Sequence, residues 1–163
     1  MARALIVGCG CRGRSLGAAL VADGWQVRGT SRTPEGVAAI EAAGLEAAQC
    51  DPDRILTLFD HLADVTVIVW ALASAQGEPE TVAQLHGSRL ERLLEHLVDT
   101  PVRGFVYEAR GSVSSEQLEA GREIVRAAER RWRIPVALIE REPEPHEAWL
   151  EDARRAVMAA ISP

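Results

Sequence analysis

The sequence predicts a doubly wound α/β domain, a parallel sheet covered by helices on both faces. Three observations predict it. An apolar run, Ala4 to Val7, leads into Gly8-x-Gly10-x-x-Gly13, and an Ala/Leu-rich stretch follows directly. That order is a buried strand, a tight turn and a helix. Short β-leaning runs then alternate with helical stretches to the end of the chain, the rhythm of parallel strands joined by helical crossovers. Helix-start signals fall between those runs. With 163 residues there is enough chain for a single well-buried core, so residues 1–163 are expected to form one domain with sheet order 3-2-1-4-5-6.

Taken in order, the strands are expected at Ala4–Val7, Gln26–Thr30, Leu45–Ala48, Val65–Ala71, Gly104–Glu108 and Val136–Ile139. Thr33-Pro34-Glu35 sets a capping hydroxyl before a proline at the first helical position, and Asp51-Pro52-Asp53 repeats the device. A long helix is expected from about Thr81 to Val98, its apolar face made by Val82, Leu85, Leu90, Leu93, Leu94 and Leu97. Ser114-Ser115-Glu116-Gln117 reads as a capping box for a helix reaching Arg131. A last amphipathic helix, near Glu147 to Ile161, buries Leu150, Ala153, Val157 and Ile161. Gly77-Glu78-Pro79-Glu80 and the stretch from Glu142 to Pro145 read as exposed connections.

Composition excludes several kinds of protein. The net charge of −6 argues against nucleic acid as the main partner. No apolar run approaches the roughly 20 residues of a membrane helix, and no signal-peptide pattern opens the chain, so a cytoplasmic setting is expected. All 18 basic residues are arginines. Schiff-base chemistry, a Walker-type phosphate lysine and a lysine that activates a tyrosine are thereby excluded. The cysteines are Cys9, Cys11 and Cys50, an odd count that suits reduced thiols. Cys9 and Cys11 interleave the turn glycines, either as a redox pair beside a helix N-terminus or as small residues in cramped positions, and the second reading is preferred because Cys-x-Cys alone is a poor metal signature.

The glycine turn is where chemistry is expected. In a sheet of this order the ligand crevice lies over the carboxyl ends of strands one and four. Glycines there let a pyrophosphate approach, and the helix N-terminus offers it free amides. The expected contacts are Gly8, Gly10, Cys11, Arg12 and Gly13 in the first turn, Ser31 and Arg32 at the tip of strand two, Asp51 after strand three, and Ala71, Leu72 and Ala73, with Ser74 beyond, after strand four. Ser31-Arg32 stands where an NAD site would place an acid for the ribose. A hydroxyl beside a guanidinium suits a 2′-phosphate instead. NADP(H) is therefore expected as the cofactor, ahead of NAD(H).

These residues resemble the atypical or extended short-chain dehydrogenase/reductases, the epimerase-like and NmrA-like NAD(P)-binding Rossmann proteins. GCGCRGRSLG followed by ADGWQVRGTSR is similar to that family's glycine turn, helix and second strand. VTVIVWALA, TPVRGFVYEARGSV and Ile134 to Ile139 are similar to its fourth, fifth and sixth strands. The resemblance implies that Asp51 faces an adenine ring. It also implies where the chain departs. The family's serine position falls on Arg110, and its Tyr-x-x-x-Lys falls on about Leu118 and Arg122; the single tyrosine, Tyr107, belongs to strand five. The proton relay of the family is missing, and the region that follows strand six in extended members is absent from this sequence.

Other chemistry-bearing residues read two ways. Glu108, Arg110, Glu140 and Glu142 are expected together at the ends of strands five and six, as acid, base and anion clamp or as a structural ion-pair network, the latter preferred. His61, His86 and His96 have no metal-ligand spacing, and no metal is expected. Trp25, Trp70, Trp132 and Trp149 read as packing residues. Two functions follow: an NADP(H)-binding oxidoreductase acting on a small molecule, any acid–base work falling to Glu108, Arg110 or water, or a non-catalytic dinucleotide-binding sensor or subunit. A scaffold for FAD or a nucleotide sugar is a third. A homodimer is expected to complete the cleft or cover apolar helix faces.

Overall fold

The computed structural model describes residues 2–162. Its strands are β1 (Arg3–Val7), β2 (Gln26–Ser31), β3 (Glu46–Gln49), β4 (Val67–Trp70), β5 (Gly104–Glu108) and β6 (Val136–Ile139). They form one six-stranded sheet in the order β3-β2-β1-β4-β5-β6, parallel throughout. The doubly wound Rossmann architecture expected from the sequence is the one observed. Strand ends move a little: β3 begins one residue later than expected and β4 is shorter. Single backbone bonds, Thr66 N–H to the Arg3 carbonyl and Ala71 N–H to the Val7 carbonyl, carry the β1–β4 pairing just past the strand ends.

The helices are α1 (Cys11–Ala22), α2 (Pro34–Ala42), α3 (Leu56–Phe59), α4 (Pro79–Leu85), α5 (Ser88–Leu97), α6 (Ser115–Trp132) and α7 (His146–Ile161). Strand alternation divides the core between two faces. Leu5, Val7, Ile68, Trp70, Phe105 and Tyr107 pack with the apolar sides of α3 to α6. Ala4, Ile6, Val67, Val69 and Val106 pack with α1, α2 and α7. The central strands are buried on both faces, which is why they read as unbroken apolar runs. Each large aliphatic side chain so buried contributes about 1.5–3 kcal/mol.

Local side-chain signals set the starts of α2 and α6. Thr33 Oγ1 accepts the Gly36 N–H at 3.1 Å and Ser114 Oγ accepts the Gln117 N–H at 3.2 Å, both N-caps. Asp51-Pro52-Asp53 does not start a helix. Asp51 Oδ1 closes on the Asp53 N–H at 2.9 Å, a turn, and α3 begins later at Leu56. The expected helix from Thr81 to Val98 is two helices, broken at His86-Gly87. The break has visible causes. Trp70 Nε1 donates to the Leu85 carbonyl at 3.0 Å, and the His86 ring turns inward to Tyr107 and the Leu72 carbonyl. The leucine face continues across the break, so periodicity alone reads one helix. Among the described residues, no helix is long and apolar enough to cross a membrane.

Candidate functional site

β1 delivers the chain to the carboxyl edge of the sheet, where Gly8 turns with φ of +83°. A Cβ on Gly8 would lie 2.7 Å from the Ala71 carbonyl oxygen and 2.6 Å from Leu72 Cδ2. The turn is therefore pressed against the end of β4 and requires glycine. Gly10 is the opposite case: nothing lies within 4 Å of where its Cβ would be, so its open side faces the cleft. α1 begins immediately, with Gly10 as N-cap, no side-chain cap and no acid in the first turn. The amides of Cys11, Arg12 and Gly13 have no partner within the helix, and the positive end of the helix dipole points outward with them.

A cleft of about 570 Å³ opens above this turn. Gly8, Gly10, Cys11, Arg12, Gly13, Ser31, Arg32, Asp51, Ala71 and Leu72 all line it. Ala73, expected with them, does not. Its side chain is fully buried beside Val82, Val113 and Leu118, and its N–H is taken by Glu108 Oε1 at 3.0 Å. Ser31 Oγ accepts the Thr33 N–H at 3.3 Å, and the Arg32 carbonyl accepts from the Gln49 amide at 3.2 Å, so the strand-two tip is held while the Arg32 side chain stays exposed. Gln76, Gly77, Glu78, Thr81 and Val82 form a further wall, and Gly77 to Glu80 are exposed as expected.

Cys9 is a packing residue. It is buried beside Gly13 and Gly29, and burial pushes its thiol up to about 11 despite Arg14 nearby, far from a reactive thiolate. Cys11 is exposed at the start of α1.

Of the group expected at the ends of strands five and six, all but Glu108 take the structural ion-pair reading. Arg110 pairs with Glu142 at 3.7 Å on the surface, and Glu140 pairs with Arg122 at 3.8 Å. Only Glu108 faces the cleft. It is 1% exposed, and its Oε2 lies 3.5 Å from Arg12 Nη2 without a hydrogen bond. Burial raises the carboxyl pKa, against the Ala73 N–H, the Arg12 charge and the Trp149 indole, which lower it. Arg12 also lies over the Trp149 ring at 5.6 Å. Sequence reading missed Trp149 as a wall of the cleft, since α7 brings it from the far end of the chain. Among the described residues, no group of three or more His, Cys, Asp or Glu side chains could hold a metal ion.

Comparison with solved structures places this geometry. A short-chain dehydrogenase/reductase superfamily protein from Agrobacterium tumefaciens with bound NAD superposes with TM-score 0.69 at 20% identity, over 83% of this chain and 48% of that one. UDP-glucuronic acid 4-epimerase from Bacillus cereus in complex with NAD gives 0.66 at 17%, over 83% and 55%. A short-chain dehydrogenase from Streptomyces avermitilis gives 0.66 at 23%, over 85% and 65%. The fold is that of the short-chain dehydrogenase/reductase and epimerase proteins.

By sequence, Protein YeeZ of Escherichia coli K12 is 31% identical over 125 residues, 69% of this chain and 45% of YeeZ. The chain thus spans less than half the length of this curated relative. No family model matches it. The positions that the resemblance implied for the family's tyrosine and lysine, about Leu118 and Arg122, fall on α6. Leu118 there is buried, and Arg122 is held by Glu119 and the Ala109 carbonyl.

Proposed function

We propose that the cleft binds a nicotinamide dinucleotide, with the diphosphate on the amides of Cys11, Arg12 and Gly13. One observation carries the reading: an uncapped helix start, free of acids, lies under a glycine whose open side admits a ligand. The residues present fit such a group. Gly8 brings the turn down against β4, Asp51 stands at the adenosine end, and Leu72 and Trp149 supply apolar wall. Solved proteins of the same fold hold NAD, which supports the class of ligand. When bound, a nicotinamide supplies or accepts a hydride.

The reading extends to NADP(H) over NAD(H). Ser31 and Arg32 line the β2 end of the cleft, and a guanidinium there favours a 2′-phosphate where a carboxylate would repel it. The nearest acids of the lining, Asp51 and Asp53, stand after β3, one strand over, and Asp51 Oδ1 is engaged with the Asp53 amide. We assign the chain to the atypical short-chain dehydrogenase/reductases, acting on a small molecule as an oxidoreductase, in the cytoplasm and as a homodimer. A second reading, a non-catalytic dinucleotide sensor or subunit, is favoured by the inert α6 positions Leu118 and Arg122 and by Arg110 facing Glu142 rather than the cleft.

Titration of the purified protein with NADPH, NADH and FAD, followed by heat and by thermal shift, tests the binding. Tightest binding of NADPH is expected. No heat with either nicotinamide dinucleotide refutes the reading. Oxidation of bound NADPH by a carbonyl panel separates the two functions: turnover above buffer supports the oxidoreductase, and tight binding without turnover supports the sensor. Sedimentation across concentrations is expected to show a dimer, and a monomer throughout removes the homodimer.

A further inference from the structure

We infer that Arg12 is shared between two anions, the Glu108 carboxylate and a diphosphate on the Gly8–Gly13 turn, so that filling the turn leaves Glu108 as an uncharged acid facing the cleft. The inference rests on the dinucleotide reading above and goes past it, since it assigns a proton-bearing residue that the short-chain dehydrogenase frame does not provide.

Arg12 stands in the first turn of α1, and its own amide belongs to the group that would face the diphosphate. Its guanidinium reaches instead across the cleft to Glu108, with Nη2 at 3.5 Å from Oε2, and its buried Nε has no partner. The side chain is 31% exposed, so it is neither locked in the core nor free in water. An ion pair of this length is loosely made, and a diphosphate at the same helix start carries more charge than a carboxylate.

Glu108 is built for the complementary change. Its Oε1 is tied to the Ala73 amide, which fixes the carboxyl at the end of β5. Its Oε2 is buried and unbonded. Among the described residues around it, Arg12 is the only charged group that faces it. From α7 come Trp149 and, stacked 6.2 Å beyond it, His146. Tyr107, the preceding residue of β5, turns to the opposite face of the sheet. Arg122 on α6 is occupied by Glu119 and Glu140, and Arg110 by Glu142. Once Arg12 moves to the diphosphate, the carboxylate loses the one charge that offsets its burial, and only the Ala73 N–H and the Trp149 indole still favour the ionised form. Oε2 then takes one proton from solvent, and its O–H can donate to a carbonyl or hydroxyl oxygen brought into the cleft beside it.

Calorimetric titration with NADPH in buffers of different ionisation enthalpy, from about pH 5 to about pH 9, counts the protons exchanged on binding. Wild-type protein is expected to take up as much as about one proton more than the Glu108→Gln variant, with a maximum between the free and loaded pKa values of Glu108. The subtraction removes the titration of the ligand's own phosphates. Binding heat with equal proton counts in both proteins, at every pH, overturns the inference and leaves the dinucleotide reading standing. Absence of heat in wild-type protein overturns the reading itself. A ligand-free measurement bears on the same pair. Carbon-13 resonances of labelled glutamate carboxyls should show Glu108 titrating at higher pH in Arg12→Gln than in wild type, and an unmoved titration also defeats the inference.

Discussion

The Tyr107 hydroxyl and His86 Nδ1 lie 2.6 Å apart, both side chains buried. The other ring nitrogen, Nε2, meets the Leu72 carbonyl at 2.9 Å, and a carbonyl can only accept. His86 therefore carries its proton on Nε2, and Tyr107 donates to Nδ1. One neutral imidazole thus ties the α4–α5 break to a residue of the cleft wall and to β5.

Tyr107→Phe leaves Nδ1 buried without a donor, which costs about 1–3 kcal/mol. A matching fall in the urea midpoint with unchanged slope is expected. A loss below about 0.3 kcal/mol would show that water or a rearranged ring replaces the bond.

Burial lowers the pKa of His86, with the Leu72 carbonyl pulling weakly upward. The unfolded chain, whose histidine titrates near 6.5, therefore binds this proton more readily than the folded protein. Stability contributed by the neutral ring is present above about pH 6.5 and falls as pH drops below it toward the folded pKa. Urea midpoints should decline from pH 7 to pH 5, and His86→Gln should decline less. Parallel declines would remove His86 from the effect.

Glu108 has the opposite sign. Its folded pKa is raised, by burial first, so its contribution is full below the unfolded value of about 4.3 and is lost as pH rises through the folded pKa. Glu108→Gln keeps the acceptor for the Ala73 amide. The variant should match wild type near pH 4 and gain on it as pH rises, levelling off once the folded carboxyl has ionised. A gap that does not depend on pH would mean that the carboxyl is not titrating.

Gly8→Ala and Gly10→Ala should part company. At Gly8 the new methyl meets the Ala71 carbonyl, on a backbone with φ of +83°, and a loss of at least about 1–2 kcal/mol is expected. At Gly10 the methyl meets nothing, so stability should change by less than about 1 kcal/mol. Dinucleotide binding should nevertheless fall by about tenfold or more, because the methyl occupies the approach to the first-turn amides. Unchanged NADPH affinity in Gly10→Ala would place the diphosphate elsewhere.

Arg32→Asp tests the 2′-phosphate. NADPH affinity should drop by about ten- to a hundredfold, the scale of a lost charge-assisted contact, while NADH affinity moves by less than about threefold. Equal losses for the two coenzymes would take Arg32 out of phosphate recognition.

What the sequence determined by itself is what short-range physics controls. Short β-leaning runs between helical stretches mark the six strands, Thr33 and Ser114 cap their helices within three residues, and Gly8, Gly10 and Gly13 are spaced to turn a strand into a helix start. Tertiary structure decided where longer side chains and buried backbone groups go. Trp70 and Tyr107 meet the backbone and ring at the helix break at His86-Gly87, beneath a leucine face that runs on across it, Glu108 takes the Ala73 amide out of the cleft, and α7 carries Trp149 in to meet Arg12. None of these has a local signature. Each partner lies many residues away along the chain, so only the closed sheet brings the donor, the acceptor and the ring together.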